Sequence, residues 1–102
     1  MQTTPSEEFV LQAPPQLIAA TRLEFRHAAL DHLDRVVQAR GARVFVELGA
    51  TTEIDANGLG VLVLLQKRSR EQMIAVRLLH PSAAVRQMLE LTKLDYLFEL
   101  ES

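Results

Sequence analysis

The chain has 102 residues, a formal net charge of -2, 48% apolar and 24% charged residues, and neither cysteine nor tryptophan. That length suits one domain and leaves little room for a second core, and the composition is that of a folded globular domain rather than a disordered one. The near-balanced charge argues against nucleic acid as a partner. The missing cysteine removes disulfides, thiolate nucleophiles and cysteine-metal sites, and no apolar run reaches the roughly 18 residues that span a bilayer.

The first eight residues, MQTTPSEE, read as a frayed lead-in. They are polar and acidic, unlike a secretory signal, so a cytoplasmic protein without direct membrane insertion is expected. Phe9-Val10-Leu11 predicts a short first strand at a sheet edge, ended by Pro14-Pro15. Gln16 to Ala20 is ambiguous and allows a second short extended piece. Thr21 followed by Glu24 has capping-box spacing and opens a helix over 22–40. Leu23, Ala29, Leu30, Leu33, Val36 and Val37 form its apolar stripe, and Arg40-Gly41 ends it.

Arg43 to Leu48 is β-branched and aromatic, and short enough for a strand. Val44, Val46 and Leu48 share one face; Phe45 and Glu47 share the other, where Phe45 is expected under a helix. After a loop over 49–53, Leu59 to Leu65 runs straight into Gln66-Lys67-Arg68-Ser69-Arg70 without a turn signal. This favours one helix over 58–72, buried at its start and basic at its end. Ile74 to Leu79 predicts another strand. Pro81-Ser82 opens a helix over 82–92 with Val85, Met88, Leu89 and Thr92 on one face. Asp95 to Leu100 predicts a terminal turn or short strand. The alternation defines a single α/β domain over 1–102, a largely parallel or mixed sheet of about four strands with helices packed on it.

No catalytic set converges. His27 and Asp31 stand four apart on the first helix with His32 adjacent, but no third ligand joins the pair at a telling interval, and solvated helix positions account for these residues. His80 beside Pro81 reads as a turn residue or helix N-cap. No nucleophile elbow or His-Glu-x-x-His pair is present, and Gly58-Leu59-Gly60 lacks the third glycine of a dinucleotide fingerprint, Val63 standing there. No metal, cofactor or enzymatic activity is expected. Lys67-Arg68-Ser69-Arg70 reads as a solvated face rather than a phosphate patch, since Glu71 follows and no aromatic platform accompanies it.

The unusual stretch is Thr51-Thr52-Glu53-Ile54-Asp55-Ala56-Asn57-Gly58-Leu59-Gly60, a polar loop entering the most apolar helix. Asp55 or Asn57 can cap that helix. Two glycines in its first turns each cost about 1 kcal/mol against alanine, which points to tight helix–sheet packing or to close approach by something else.

With Val44-Phe45-Val46-Glu47-Leu48 before it, the run Ile54 to Leu62 resembles the central motif of STAS domains, the family that includes bacterial anti-sigma-factor antagonists. The usual form there is a strand ending in Asp-Leu, a loop, then Asp-Ser-Ser-Gly-Leu-Gly opening a helix. Val76 to Ser82 resembles the family's next strand and turn, and Val85 to Phe98 its closing helix and tail. The resemblance covers 43–100 well; the first forty residues match in pattern, with a shortened first hairpin. It implies a small mixed sheet with helices on one side and no catalysis. It also implies binding of an anti-sigma factor or serine-kinase-like regulator through Thr51, Thr52, Asp55, Ala56, Asn57, Gly58 and Leu59.

In the family, the partner kinase phosphorylates the second serine of the motif and so breaks the complex, since a charge of about -1.5 to -2 appears at the binding surface. Here Ala56 and Asn57 occupy the two serine positions. Asn57 has no hydroxyl and cannot take phosphate, which implies a permanently binding-competent form. Thr51, Thr52, Ser69 and Ser82 keep hydroxyls without spacing that marks an acceptor. Glu47 carries the strand's acid one position before its usual place at Leu48. The alternatives are an accessory subunit docked on the ATPase of an ABC-type lipid transporter, or a small-molecule sensor at the Asn57 helix start. Homodimer and monomer stay open.

Overall fold

A computed structural model of the chain describes residues 10–101; the expectations for Met1–Glu8 and Phe9 lie outside them. Strands β1 (Val10–Gln12), β3 (Arg43–Glu47), β5 (Ala75–Leu79) and β6 (Glu99–Glu101) form a sheet in the order β1-β3-β5-β6. β2 (Gln16–Leu17) and β4 (Glu53–Ile54) form a separate two-stranded ladder. Three helices alternate with the strands: α1 (Arg22–Gln38), α2 (Ala56–Glu71) and α3 (Ala83–Thr92).

Every strand pairing among the described residues is parallel, so the largely parallel form of the expected sheet is the one present. Each crossover moves one place in the same direction across the main sheet. Right-handed crossovers of that kind set their helices on one face. Burial follows this rule. Leu11, Val44, Val46, Val76 and Leu78 point into the core with α2's Leu59, Val61, Leu62 and Leu65, and with Val85 and Leu89 of α3. Strand side chains alternate faces, and Val10, Phe45, Arg77 and Glu99 stand side by side in register on the other face, all half-buried. Phe45 therefore does not pack under a helix; every crossover helix lies on the opposite side.

The same open face carries ionic links that reach the terminal strand. Arg43 donates to Glu99 at 2.7 Å, and Arg77 lies 3.3 Å from Glu99 and 2.9 Å from Glu101. These groups are substantially exposed, so each pair stabilises little.

Three details of α1 differ from the sequence pattern, the first being that His32, expected at a solvated position, is buried at 6% exposure. Its buried stripe is Phe25, Ala29, His32, Leu33 and Val36, while Leu23 is 67% exposed. The sequence pattern places Leu23 inside; packing rotates the helix by enough to exchange it for Phe25. Thr21 does not form the expected capping box with Glu24. Its Oγ1 accepts from the Ile18 N–H at 3.1 Å and donates to the Gln16 carbonyl at 2.7 Å, closing the 3-10 turn Ala19–Thr21 ahead of the helix. After α2 and its C-cap Gln72, exposed Met73 adopts left-handed backbone with φ 58°. Ser82 caps α3 by accepting from the Val85 N–H at 3.4 Å, and Lys93 in left-handed backbone ends it.

Candidate functional site at the start of the second helix

The loop from Thr51 to Asp55 is stitched to the Pro14–Leu17 segment. Prolines donate no backbone hydrogen bond but keep their carbonyls, and these carbonyls do the stitching. The Thr51 hydroxyl donates to Pro14 O at 2.9 Å, the Thr52 N–H donates to Pro15 O at 2.9 Å, and the Asp55 N–H donates to Leu17 O at 3.0 Å. Between them lies the β2–β4 ladder, with Gln16 opposite Glu53 and Leu17 opposite Ile54. Gln16 Nε2 adds a bond to Glu53 Oε1 at 2.9 Å.

Asp55 is the N-cap of α2, as the sequence allows. Its Oδ1 accepts from the N–H groups of Asn57 (2.8 Å) and Gly58 (3.0 Å), and its Oδ2 accepts from Ala19 N–H at 3.1 Å. One carboxylate thus joins the start of α2 to the turn that precedes α1. The Gly58 N–H, assisted by those of Ala19 and Asn57 and opposed by desolvation, holds the carboxyl below its ordinary 3.8.

Gly58 meets the same segment from the other side. A Cβ on Gly58 would lie 2.0 Å from Leu17 O and 2.4 Å from Leu17 C. Only a glycine lets the first turn of α2 rest on the β2 backbone. Gly60 differs, because a Cβ there meets nothing within 4 Å. The first glycine is explained by packing inside the domain; the second is not.

The seven sequence-predicted residues therefore divide. Thr51 (0% exposed), Gly58 and Leu59 (5% exposed) are buried and present no side chain to a partner in this conformation. Leu59 points into the core cluster, and the Thr51 hydroxyl is committed to Pro14. Thr52 and Ala56 are exposed, while Asp55 and Asn57 are half-buried. Ser69 is fully buried, leaving Thr52 and Ser82 as the accessible hydroxyls among the four considered.

At the end of β3, Glu47 accepts from the Gly49 N–H at 2.9 Å and lies 2.6 Å from His80 Nδ1. Burial alone pushes this carboxyl up, but the His80 ring and the Gly49 N–H together hold it below its usual range. The neighbouring Leu48 is fully buried. Moving the acid one position along the strand transfers it to the opposite face, where it pins the turn at His80 (φ 50°). His80 is thus a turn residue, and Ser82 rather than His80 caps α3. Among the described residues, no three His, Asp or Glu side chains converge as a metal site. Asp31 is engaged instead by Arg35 one turn away.

Sequence reasoning missed the wall opposite Asn57. Arg22, Leu23 and Arg26 of α1 face Ala56, Asn57, Gly60 and Leu64 of α2 across an open groove of about 480 Å³. The available signal was Leu23, an apolar residue between charged ones that the helical period had assigned to the core.

Two solved structures share this architecture. The crystal structure of a candidate anti-sigma factor antagonist from Thermotoga maritima has a TM-score of 0.77 at 22% identity, covering 97% of this chain and 83% of that one. The NMR structure of the same Thermotoga protein gives a TM-score of 0.72 at 21% identity, covering 95% and 76%. The fold is therefore that of the anti-sigma-factor antagonists. The STAS domain model matches residues 4–102, and the chain belongs to the STAS domain family. No curated protein matches the chain. No helix among the described residues is long and apolar enough to cross a membrane.

Acid should loosen the site first. Asp55, Glu47 and Glu99 all have carboxyls held below their ordinary values in the folded state. Their contribution is therefore fully present above the unfolded values near 4 and lost as pH falls through the folded ones. Thermal melts from neutral pH into acid should show Tm falling below about pH 4.5. Asp55→Asn, which keeps an acceptor oxygen but no titrating group, should lower Tm at neutral pH and flatten its decline in acid. An acid decline as steep as that of the parent would show that Asp55 does not contribute to it.

Proposed function

We propose that this chain is a non-catalytic regulatory module of the anti-sigma-factor-antagonist type. It binds an anti-sigma factor or a related serine-kinase-like regulator through the surface at the start of α2. The supporting observation is the placement of Ala56 and Asn57. They sit at the first turn of a helix held from both sides, by the Asp55 cap and by the Gly58–Leu17 contact, and they are its accessible side chains. In the motif these are the two serine positions. With asparagine at the acceptor position, the module has no hydroxyl there to phosphorylate and stays competent to bind.

The recognition surface comprises Thr52, Ala56 and Asn57, with Thr51, Gly58 and Leu59 supporting it from beneath. Its rigidity has a binding consequence, since a surface already ordered in the free protein loses little conformational entropy on docking.

The test is binding of the host's purified serine-kinase-like anti-sigma factors by calorimetry. The parent chain should bind one of them, and Ala56→Arg should weaken that complex at least about tenfold while leaving the melt unchanged. Incubation with that kinase and Mg-ATP should place no phosphate on the chain. Binding indifferent to Ala56→Arg rejects the surface, and phosphate on Thr52 or Ser82 rejects the unswitched form. Specific retention of an ABC-type ATPase in place of any kinase-like regulator rejects the whole reading.

A further inference from the structure

The groove between α1 and α2 carries charge of one sign. Arg22 and Arg26 lie one turn apart on α1, both exposed. Among the described residues neither makes an ion pair or side-chain hydrogen bond. This contrasts with Arg35, Arg43 and Arg77, each paired with a carboxylate. Among the described residues, no acidic side chain lines the groove. The nearby Asp55 is occupied by three backbone N–H groups. In a chain of net charge -2, two guanidinium groups on one wall, unpaired among the described residues, form a local positive field.

The remaining surface is apolar and recessed. Leu23 stands 67% exposed between the two arginines. Half-buried Leu64 faces it from α2, and Gly60 leaves the floor between them open. An alanine at position 60 would favour the helix by about 1 kcal/mol and meet no neighbour. The fold therefore derives no benefit from this glycine, whereas a close-lying partner backbone would. Arginine is also suited to planar, bidentate pairing with carboxylates.

We infer that this groove receives an acidic segment of the partner protein. A carboxylate of that segment pairs with Arg22 and Arg26, and an adjacent apolar side chain lies over Gly60 between Leu23 and Leu64. This rests on the functional reading above and extends it, because it places half of the recognition on α1, outside the motif, and sets the sign of the partner's surface. Asn57 at the rim then serves as a neutral neighbour to an incoming anion, a place where a phosphoryl group would repel it.

The experiment is selection of a random peptide library against the intact folded chain, followed by titration of the enriched peptide. The expected peptides combine Asp or Glu with a neighbouring apolar residue, and their affinity falls with added salt. Arg22→Glu with Arg26→Glu should reduce that affinity about tenfold or more. Gly60→Leu, which fills the floor, should reduce it comparably. Both variants should keep the parent's circular dichroism and melt no lower than the parent, since all three positions are exposed and leucine favours the helix over glycine. Enrichment of basic or uncharged peptides, absence of enrichment, or acidic-peptide binding indifferent to the arginine reversal each overturns the inference. A kinase-like regulator that senses Ala56→Arg but not the arginine reversal removes this inference and leaves the functional reading standing. A regulator indifferent to all of these substitutions removes both.

Discussion

Gly58→Ala is expected to destabilise the domain by about 3 kcal/mol, at the upper end for overpacking, despite alanine's higher helix propensity. The added methyl would sit 2.0 Å from the Leu17 carbonyl oxygen, and what must yield is backbone, not the end of a flexible side chain. Either α2 lifts from the β2 strand or β2 moves, and Leu17 O is also the acceptor for the Asp55 N–H. The cap and the β2–β4 ladder should loosen together, exposing the Thr51 loop. Urea unfolding checks this through a lowered midpoint, and hydrogen exchange should show lost protection at Asp55 and Thr52 before the rest of the domain. The control is Gly60→Ala, two residues along, where nothing lies within 4 Å. It should stabilise by about 0.5 to 1 kcal/mol. Equal and small effects at both positions would show that α2 does not bear on β2 as described.

The second large effect concerns Leu59, which the motif places among the partner-binding residues. Leu59→Arg should cost about 4 kcal/mol or more, enough to unfold many domains of this size. Leu59 is 5% exposed and sits in the core beside Leu62 and Val61, so the arginine would either bury an unpaired charge or force the helix out. Loss of binding in that variant would report loss of the fold. Ala56→Arg, three residues earlier and exposed, should shift stability by no more than about 0.5 kcal/mol. Melts of the two variants side by side settle the point: a cooperative transition near that of the parent for Leu59→Arg would place Leu59 at the surface.

These two cases show why part of the site was legible in the sequence and part was not. Asp55 as N-cap was readable because capping is local: the acceptor oxygen and the N–H groups it meets lie within three residues. The position of Ala56 and Asn57 at the first turn follows from the same local rule. Which loop residues face inward was not readable. Thr51 is buried because its hydroxyl meets Pro14, and Gly58 is needed because of Leu17, partners about forty residues earlier in the chain. Two adjacent prolines signal only the end of a ladder; that their carbonyls anchor the Thr51 loop is a property of the assembled fold.

Average composition without cysteine excluded disulfides and thiolate chemistry, and the alternation of strands and helices set the fold class. Strand and helix alternation, the cap at Asp55 and the missing hydroxyl at Asn57 are properties of the sequence alone, since each depends on residues close in the chain or on residue identity. Tertiary structure decided the rest. The phase of α1 is set by how it packs on α2 and the sheet, which hides Phe25 and presents Leu23 with its flanking arginines. Only that packing brings residues 22–26 and 56–64 to opposite walls of one groove, because a contact between distant segments is fixed by the lowest-energy packing of whole elements and not by any local preference.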